Sequence, residues 1–364
     1  MPSPLALNRR TIVLLSLGLM VLTGLSFYRL LFAPPPGPST AFSGRTMGTT
    51  WEVKVASPDL RPDTMRSTSA SIQDTLDRVV QSMSTWREDS ELSDFNRWSS
   101  TEAVEISPAL SHVLQAAETI SQQSGGAFDV TVGPLVEAWG FGEARPPESP
   151  PSASEIEEIE TYTGHSLLVL KTLPKNTLRK KEGRVQIDVS AIAKGYGVDQ
   201  VALKLEELGY FNYLVEVGGE IRARGQRTDG QVWRVAIEEP GEGFRRIHRV
   251  LPLKDRAMAT SGDYRNFYQG KDGQRVSHTL DPRSGRPIEH GLASVSVIHP
   301  SATQADAWAT ALNVLGPQAG YEKAAQLDLA AYFIVRGPDS EPFQVRATPA
   351  FTRYLDFVET LSSQ

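Results

Sequence analysis

Eighteen consecutive residues, Thr11 to Tyr28, carry no charge, and this run divides the chain before any fold is considered. It is mostly Leu, Val, Ile and Gly, with Arg9 and Arg10 before it and Arg29 after it. As a helix it would be about 27 Å long, close to the thickness of a bilayer's hydrocarbon layer. The proline-rich run Pro34 to Pro38 cannot continue such a helix. The expected organisation is a short N-terminal flank (1–10), a transmembrane signal-anchor (11–33), a Pro-rich linker (34–44) and a folded body (45–364). A cleaved secretory signal is one alternative. Leu31-Phe32-Ala33 ahead of Pro34 makes a poor cleavage site, and Ala41-Phe42-Ser43 lies far from the apolar run. A buried soluble helix is the other. Arginines on the N-terminal flank keep that end in the cytoplasm and send the body outward.

The remaining roughly 320 residues are enough for one large core or two fused halves. A net charge of −6 and a pI near 5.6 argue against the basic stripe of a general nucleic-acid binder, so no nucleic acid is expected as partner. With no cysteine, the chain has no disulfide, no thiolate metal site, no cysteine nucleophile and no lipid-bearing N-terminal cysteine. That suits an oxidising compartment. Gly48 to Val55 alternates like a strand, and Ile72, Leu76, Val79, Val80 and Met83 recur at helical spacing. Ser107-Pro108 reads as an N-cap and first-turn proline, with Gly125-Gly126 as the stop. Glu143 to Ala153 reads as an exposed loop, and a helix is expected from Asp188 to Gly209. Short strands follow: Tyr213 to Val217, Ile221 to Arg224, Trp233 to Ile237, Ile247 to Leu253 and Ser294 to His299. Helices at about 303–315 and 319–327 precede a last strand, Leu329 to Val335. Helices and antiparallel-looking strands without regular βαβ alternation predict an α+β fold.

Six glycine-bearing segments contain residues that a core does not need. Asp188 closes a strand-like run, and a helix begins at Ser190 or Ala191 with Lys194 in its first turn; backbone N–H groups there favour a phosphate. The spacing is not that of a Walker motif. Asp306 and Thr310 stand at i and i+4, so they share a helix face, and a carboxylate with a hydroxyl is a hard oxygen pair suited to Mg²⁺. Each residue also has an ordinary explanation. Asp306 could be a cap, Lys194 a solvated lysine, Phe128, Trp86 and Trp139 core aromatics, Asp281-Pro282-Arg283-Ser284-Gly285 a turn, and His278 a surface histidine.

In order along residues 44–349, the strings TMGTTW, GGAFDVTVGPLVEAWGFG, DVSAIAKGYGVD, YLVEVGGEIRARG, ATSGDYRNFY, SHTLDPRSGRP and ADAWATALNVLG resemble the ApbE family of flavin transferases. The resemblance implies an ApbE-like body of mainly antiparallel sheets with packed helices. It also implies an enzyme that binds FAD as substrate with Mg²⁺ on its pyrophosphate, moves FMN to a Thr or Ser hydroxyl of another protein, and releases AMP. By residue match, Met47, Trp86, Ala127, Phe128, Asp129, Asp188, Lys194 and Leu280 are the implied flavin-nucleotide contacts. The Ala191 carbonyl, Asp306 and Thr310 are the implied metal ligands. Ala309 departs from relatives that carry an aspartate there, which leaves the implied metal site one carboxylate short. His278 is the first candidate for general base, since an unperturbed imidazole titrates near working pH; Asp263 and Asp281 are its rivals. Implied acceptors carry a Ser/Thr-Gly-Ala-Ser/Thr-like motif, as in subunits of sodium-translocating NADH:quinone reductase or Rnf-type complexes. The implied location is the bacterial inner membrane, with the catalytic body facing the periplasm. An FAD pyrophosphatase and a membrane-tethered flavin binder without chemistry are the alternatives.

Overall fold

The alternating segments build one sheet, seen in a computed structural model that describes residues 38–142, 150–241, 246–262, 267–269, 275–337 and 343–362. Its strands are β1 (Thr40–Thr46), β2 (Thr49–Val55), β3 (Tyr213–Val217), β4 (Glu220–Arg224), β5 (Arg256–Gly262), β6 (Leu292–His299), β7 (Ala330–Val335) and β8 (Gln344–Ala347). They lie side by side in chain order, and every neighbouring pair is antiparallel. The sheet is therefore a meander with other elements spliced into its connections, the longest splice falling between β2 and β3.

Strand alternation gives this sheet two apolar faces. Val53, Val215, Val297 and Phe333 point to one side. There they meet four helices: α1 (Pro62–Met83), α3 (Pro108–Ser124), α6 (Ser190–Glu207) and α7 (Ala302–Gln326). Leu214, Met258, Ile298 and Ile334 point to the other side, against the hairpin of Trp233–Glu238 with Ile247–Leu253 and against α8 (Pro349–Ser362). Full burial of each such side chain contributes roughly 1.5–3 kcal/mol. The shorter helices α2 (Glu91–Arg97), α4 (Gly133–Ala138) and α5 (Ala153–Glu160) sit within the long splice.

The α+β expectation and the mainly antiparallel sheet agree with this architecture. For α3 the end signals match the structure: the Ser107 hydroxyl accepts the Leu110 N–H at 3.2 Å, and Gly125 takes a left-handed φ of 66°. Other elements differ from expectation for local reasons. The α1 helix starts at Pro62, ahead of the apolar repeat that begins at Ile72, because a first-turn proline with Asp63 opens it and its mostly polar first turns carry no apolar repeat. The segment ending at Ala153 runs into a helix, α5, fixed by a capping box between Ser152 and Glu155. The two helices expected around 303–327 are both present within α7, parted at Gly316, whose φ of 82° lies outside helical space, with Pro317 opening the second. The edge strand β1 takes in residues 40–44, which were expected to be linker. The expected flank 1–10 and transmembrane helix 11–33 lie outside the described residues, as do 143–149 of the expected exposed loop. Among the described residues no helix is long and apolar enough to cross a membrane.

Candidate active site

The site forms where the starts of α6 and α7 meet the ends of β3 and β5. Helices α6 and α7 approach so closely that a Cβ on Gly195 would overlap the Ala302 carbonyl and stand 2.8 Å from the Asp306 Cβ. Only glycine permits that approach, and it lets the Gly195 N–H reach Asp306 Oδ2 at 2.9 Å. A second device sets the helix register. Asp199 on α6 accepts hydrogen bonds from the Ala302 and Thr303 N–H groups at 3.0 Å each, the Ser301 hydroxyl at 2.7 Å and the Thr303 hydroxyl at 2.8 Å. It also pairs with Arg222 of β4. A carboxylate there complements the positive end of α7 and stays ionised: burial opposes its charge, but these donors outweigh burial and hold it below the usual carboxylate range.

Against this frame sits a buried charge cluster. Lys194 Nζ lies 2.8 Å from Glu220 Oε1 and 3.8 Å from Asp306 Oδ1. Both carboxylates are only 4% exposed. Burial alone would depress the ammonium's pKa; the Asp306 and Glu220 charges overcome it and hold Lys194 above its ordinary range. Burial raises Asp306 and Glu220 despite the lysine, Glu220 to about 7. Glu220 Oε2 has no hydrogen-bond partner among the described residues. A buried carboxylate oxygen is thus left for something the protein does not itself supply.

The cluster opens into a hollow of about 430 Å³ lined by Ala127, Phe128, Asp129, Asp188, Ala191, Lys194, His278, Leu280, Asp306 and Thr310, among others. Residues expected separately from distant motifs thus share one cavity. Asp188 also lines two adjoining hollows. One, of about 840 Å³, has Trp86, Phe141, Tyr268 and His278 in its wall; the other, about 150 Å³, is formed by Met47, Val79, Met83 and Trp86 with Lys194 at its floor. Trp86 is 66% exposed, a large aromatic at the rim and free of any core role. Tyr268 is tilted against Phe141 with ring centroids 5.2 Å apart, and its buried hydroxyl lacks a partner among the described residues. At the start of α6, Asp188 Oδ1 accepts the Ser190 N–H at 2.8 Å and the Ser190 hydroxyl at 2.5 Å. That turn places Ser190 and Ala191, the first residues of the helix, in the wall of the central hollow.

The remaining expected residues divide. Asp129 spends its oxygens on the loop around it, accepting from the Thr131 N–H and hydroxyl at 2.8 and 2.6 Å and the His165 N–H at 2.6 Å. His278 faces the central and the large hollows, edge-on to Phe141 at 6.4 Å. Asp281 is clamped by Arg283, which donates its backbone N–H at 2.9 Å and two guanidinium N–H groups at 2.8 and 2.7 Å. A carboxylate so occupied is a poor proton acceptor. Asp263 lies outside the described residues. Ala309 is buried in the core beneath α7. Glu220 closes one of the six glycine-bearing segments, Gly218-Gly219-Glu220, but was given no role there; Asp199 closes the DVSAIAKGYGVD string but looks like any helical aspartate.

The donor set fits a small hard divalent cation. Asp306 and Thr310 stand one turn apart on α7 and line the same hollow as Ala191, and all three present oxygen. Two adjoining hollows that share Trp86, a helix N-terminus, a lysine and hard oxygens together suit an elongated aromatic phosphate ester.

The comparisons place that site more closely. The ApbE family model matches residues 47–333, and the chain belongs to the ApbE family. An FAD:protein FMN transferase of Haemophilus influenzae is 41% identical over 322 residues, 88% of this chain and 92% of that one. The one from Escherichia coli K12 is 38% identical over 317 residues, 87% of this chain and 89% of its own length. The crystallised flavin transferase ApbE of Vibrio cholerae superposes with a TM-score of 0.78 at 38% identity, covering 87% of this chain and 99% of that chain. The apo flavinyl transferase ApbE of Pseudomonas stutzeri gives 0.77 at 37% identity, covering 87% and 96%.

Proposed function

We propose that this protein is an FAD:protein FMN transferase that uses Mg²⁺ and a Ser or Thr hydroxyl of an acceptor protein. The observation that carries the reading is the convergence of Lys194, Asp306, Thr310, Ala191 and His278 on one hollow, joined through Asp188 and Ser190 to two others that share Trp86.

In the proposed reaction the acceptor oxygen forms a bond to the phosphorus on the FMN side of the FAD diphosphate. The bond from that phosphorus to the AMP oxygen breaks, AMP leaves, and the hydroxyl proton passes to a base. Phosphoryl transfer of this kind depends mainly on positioning and charge neutralisation. The Ala191 carbonyl, Asp306 and Thr310 would hold the cation, which supplies Lewis-acid neutralisation of diphosphate charge when bound. Lys194, kept protonated by its two carboxylates, adds a fixed positive charge on the same side of the hollow. Trp86, at the rim, offers a face for one aromatic end of the substrate. His278 takes the hydroxyl proton.

The uncharged segment 11–28, with Arg9 and Arg10 ahead of it, supports a single-pass anchor in the bacterial inner membrane and a periplasmic catalytic body. Acceptors would then be exported or membrane subunits bearing a Ser/Thr-Gly-Ala-Ser/Thr-like motif, such as those of sodium-translocating NADH:quinone reductase or Rnf-type complexes. The test incubates the protein with FAD, MgCl₂ and an acceptor domain carrying that motif, following acceptor mass and AMP. A gain of one FMN, abolished by EDTA and lowered about 10²-fold or more by Asp306→Ala, supports the reading. AMP with free FMN and an unmodified acceptor would make the enzyme a pyrophosphatase instead.

A further inference from the structure

A fourth hollow, of about 660 Å³, lies on the opposite face of the sheet from α6 and α7. Glu52, Glu216 and Thr260 line it from the sheet face turned toward the hairpin, and Arg234, Val235 and Ala236 line it from the hairpin. It shares no lining residue with either aromatic hollow, yet it shares Gly218 and Gly262 with the central one. Gly218 directly follows β3 and Gly262 ends β5, so the two hollows adjoin around the sheet's end, at residues without side chains. Gly218 holds a φ of +58°, and a Cβ there would stand 3.2 Å from the Lys194 Cδ.

We propose that this hollow is where the acceptor protein docks, presenting an extended segment whose Ser or Thr hydroxyl reaches the central hollow past Gly218 and Gly262. The inference rests on the transferase reading, which requires a second substrate at the same phosphorus. The hollows assigned above to FAD lie around α6 and share Asp188 and Ser190, whereas this one is lined by neither residue and offers a separate approach. Three consecutive residues of Trp233–Glu238 line it, which is how a strand's edge, not one of its faces, meets a cavity. Among the described residues that strand pairs only with Ile247–Leu253. An unpaired edge can take up an extended peptide through main-chain hydrogen bonds, with alternate side chains setting specificity.

The experiment uses the full chain, FAD, MgCl₂ and an acceptor domain bearing the Ser/Thr-Gly-Ala-Ser/Thr motif. Arg234→Glu changes the charge of an exposed hairpin residue, and Ala236→Trp fills the hollow. Flavin fluorescence gives the FAD Kd, thermal melting gives fold integrity, and acceptor mass gives transfer kinetics. The expected result is a rise of about tenfold or more in the KM for the acceptor, with the FAD Kd within about twofold of wild type. Arg234→Glu keeps the test open should Ala236→Trp fold poorly. Wild-type acceptor KM in the folded variants overturns the proposal, as does a loss of FAD binding that tracks the loss of transfer. Failure of wild type to transfer FMN at all overturns the transferase reading itself, and the two failures are told apart by that control.

Discussion

Lys194 leans on Glu220, at 2.8 Å, and stands off from Asp306, at 3.8 Å. The difference of one ångström separates a charge-assisted hydrogen bond from a looser ion pair. Glu220 thereby keeps the ammonium from occupying the Asp306 oxygen that a cation would need.

Glu220→Gln should release that restraint. Lys194 would move toward Asp306 and compete with the metal, so the Mg²⁺ concentration for half-maximal FMN transfer should rise about tenfold, while the rate at saturating Mg²⁺ falls much less. A magnesium titration of transfer rate checks this; an unchanged midpoint would mean that Glu220 has no such role.

His278→Gln should lower FMN transfer by about 10²–10⁴-fold with FAD affinity unchanged, and should flatten the acidic limb of the pH–rate profile. The profile matters as much as the rate. A merely structural role would lower activity equally at all pH values.

Asp199 touches no part of the cavity, and its effect on the site passes through α7. Asp199→Asn removes the charge opposite the half-buried Arg222, which keeps Glu206 nearby, and weakens the buried acceptor at the helix start. The expected cost is about 1–2 kcal/mol of stability. It should read out as a drop of several degrees in Tm, with weakened Mg²⁺ dependence because Asp306 loses its fixed position.

Lys180 has no exposed surface and, among the described residues, no carboxylate partner. Its Nζ donates to the Asn96 and Trp98 carbonyls at 3.2 and 2.8 Å, at the C-terminal end of α2, and lies 4.9 Å from the Phe95 ring centroid. Burial pushes its pKa down to about 8. The folded protein therefore binds fewer protons than the unfolded chain between about pH 8 and about pH 10.5, so this group's contribution to stability rises with pH across that window and is lost below it. Lys180→Met lacks the effect. Its stability relative to wild type should fall by about 2 kcal/mol between pH 7 and pH 9.5, measured by denaturant titration at both values.

What the sequence showed in advance depended on how local the cause was. The α3 boundaries were legible because Ser107, Pro108 and Gly125 each act on their own backbone. Asp306 and Thr310 were legible as a pair because helical periodicity places i and i+4 together. The Lys194–Glu220 ion pair was not, since its spacing reflects the closing of β3–β4 over α6, which no window of neighbouring residues encodes. Asp199 was hidden for the same reason, its partners lying beyond position 300. Asp281 looked reactive until the side chain two residues on, Arg283, proved to hold both of its oxygens. The α5 helix and β1 were overlooked where polar residues masked the apolar pattern.

The meander's chain order also fixes when this enzyme can begin to work. Trp86 and Met47 are made early, Lys194 at mid-length, and the Asp306 that bonds the Gly195 N–H lies 111 residues further on. On the proposed reading, a nascent chain would hold most of its FAD-facing residues well before it held Asp306 and Thr310, and transfer would wait until α7 had emerged and settled on Asp199.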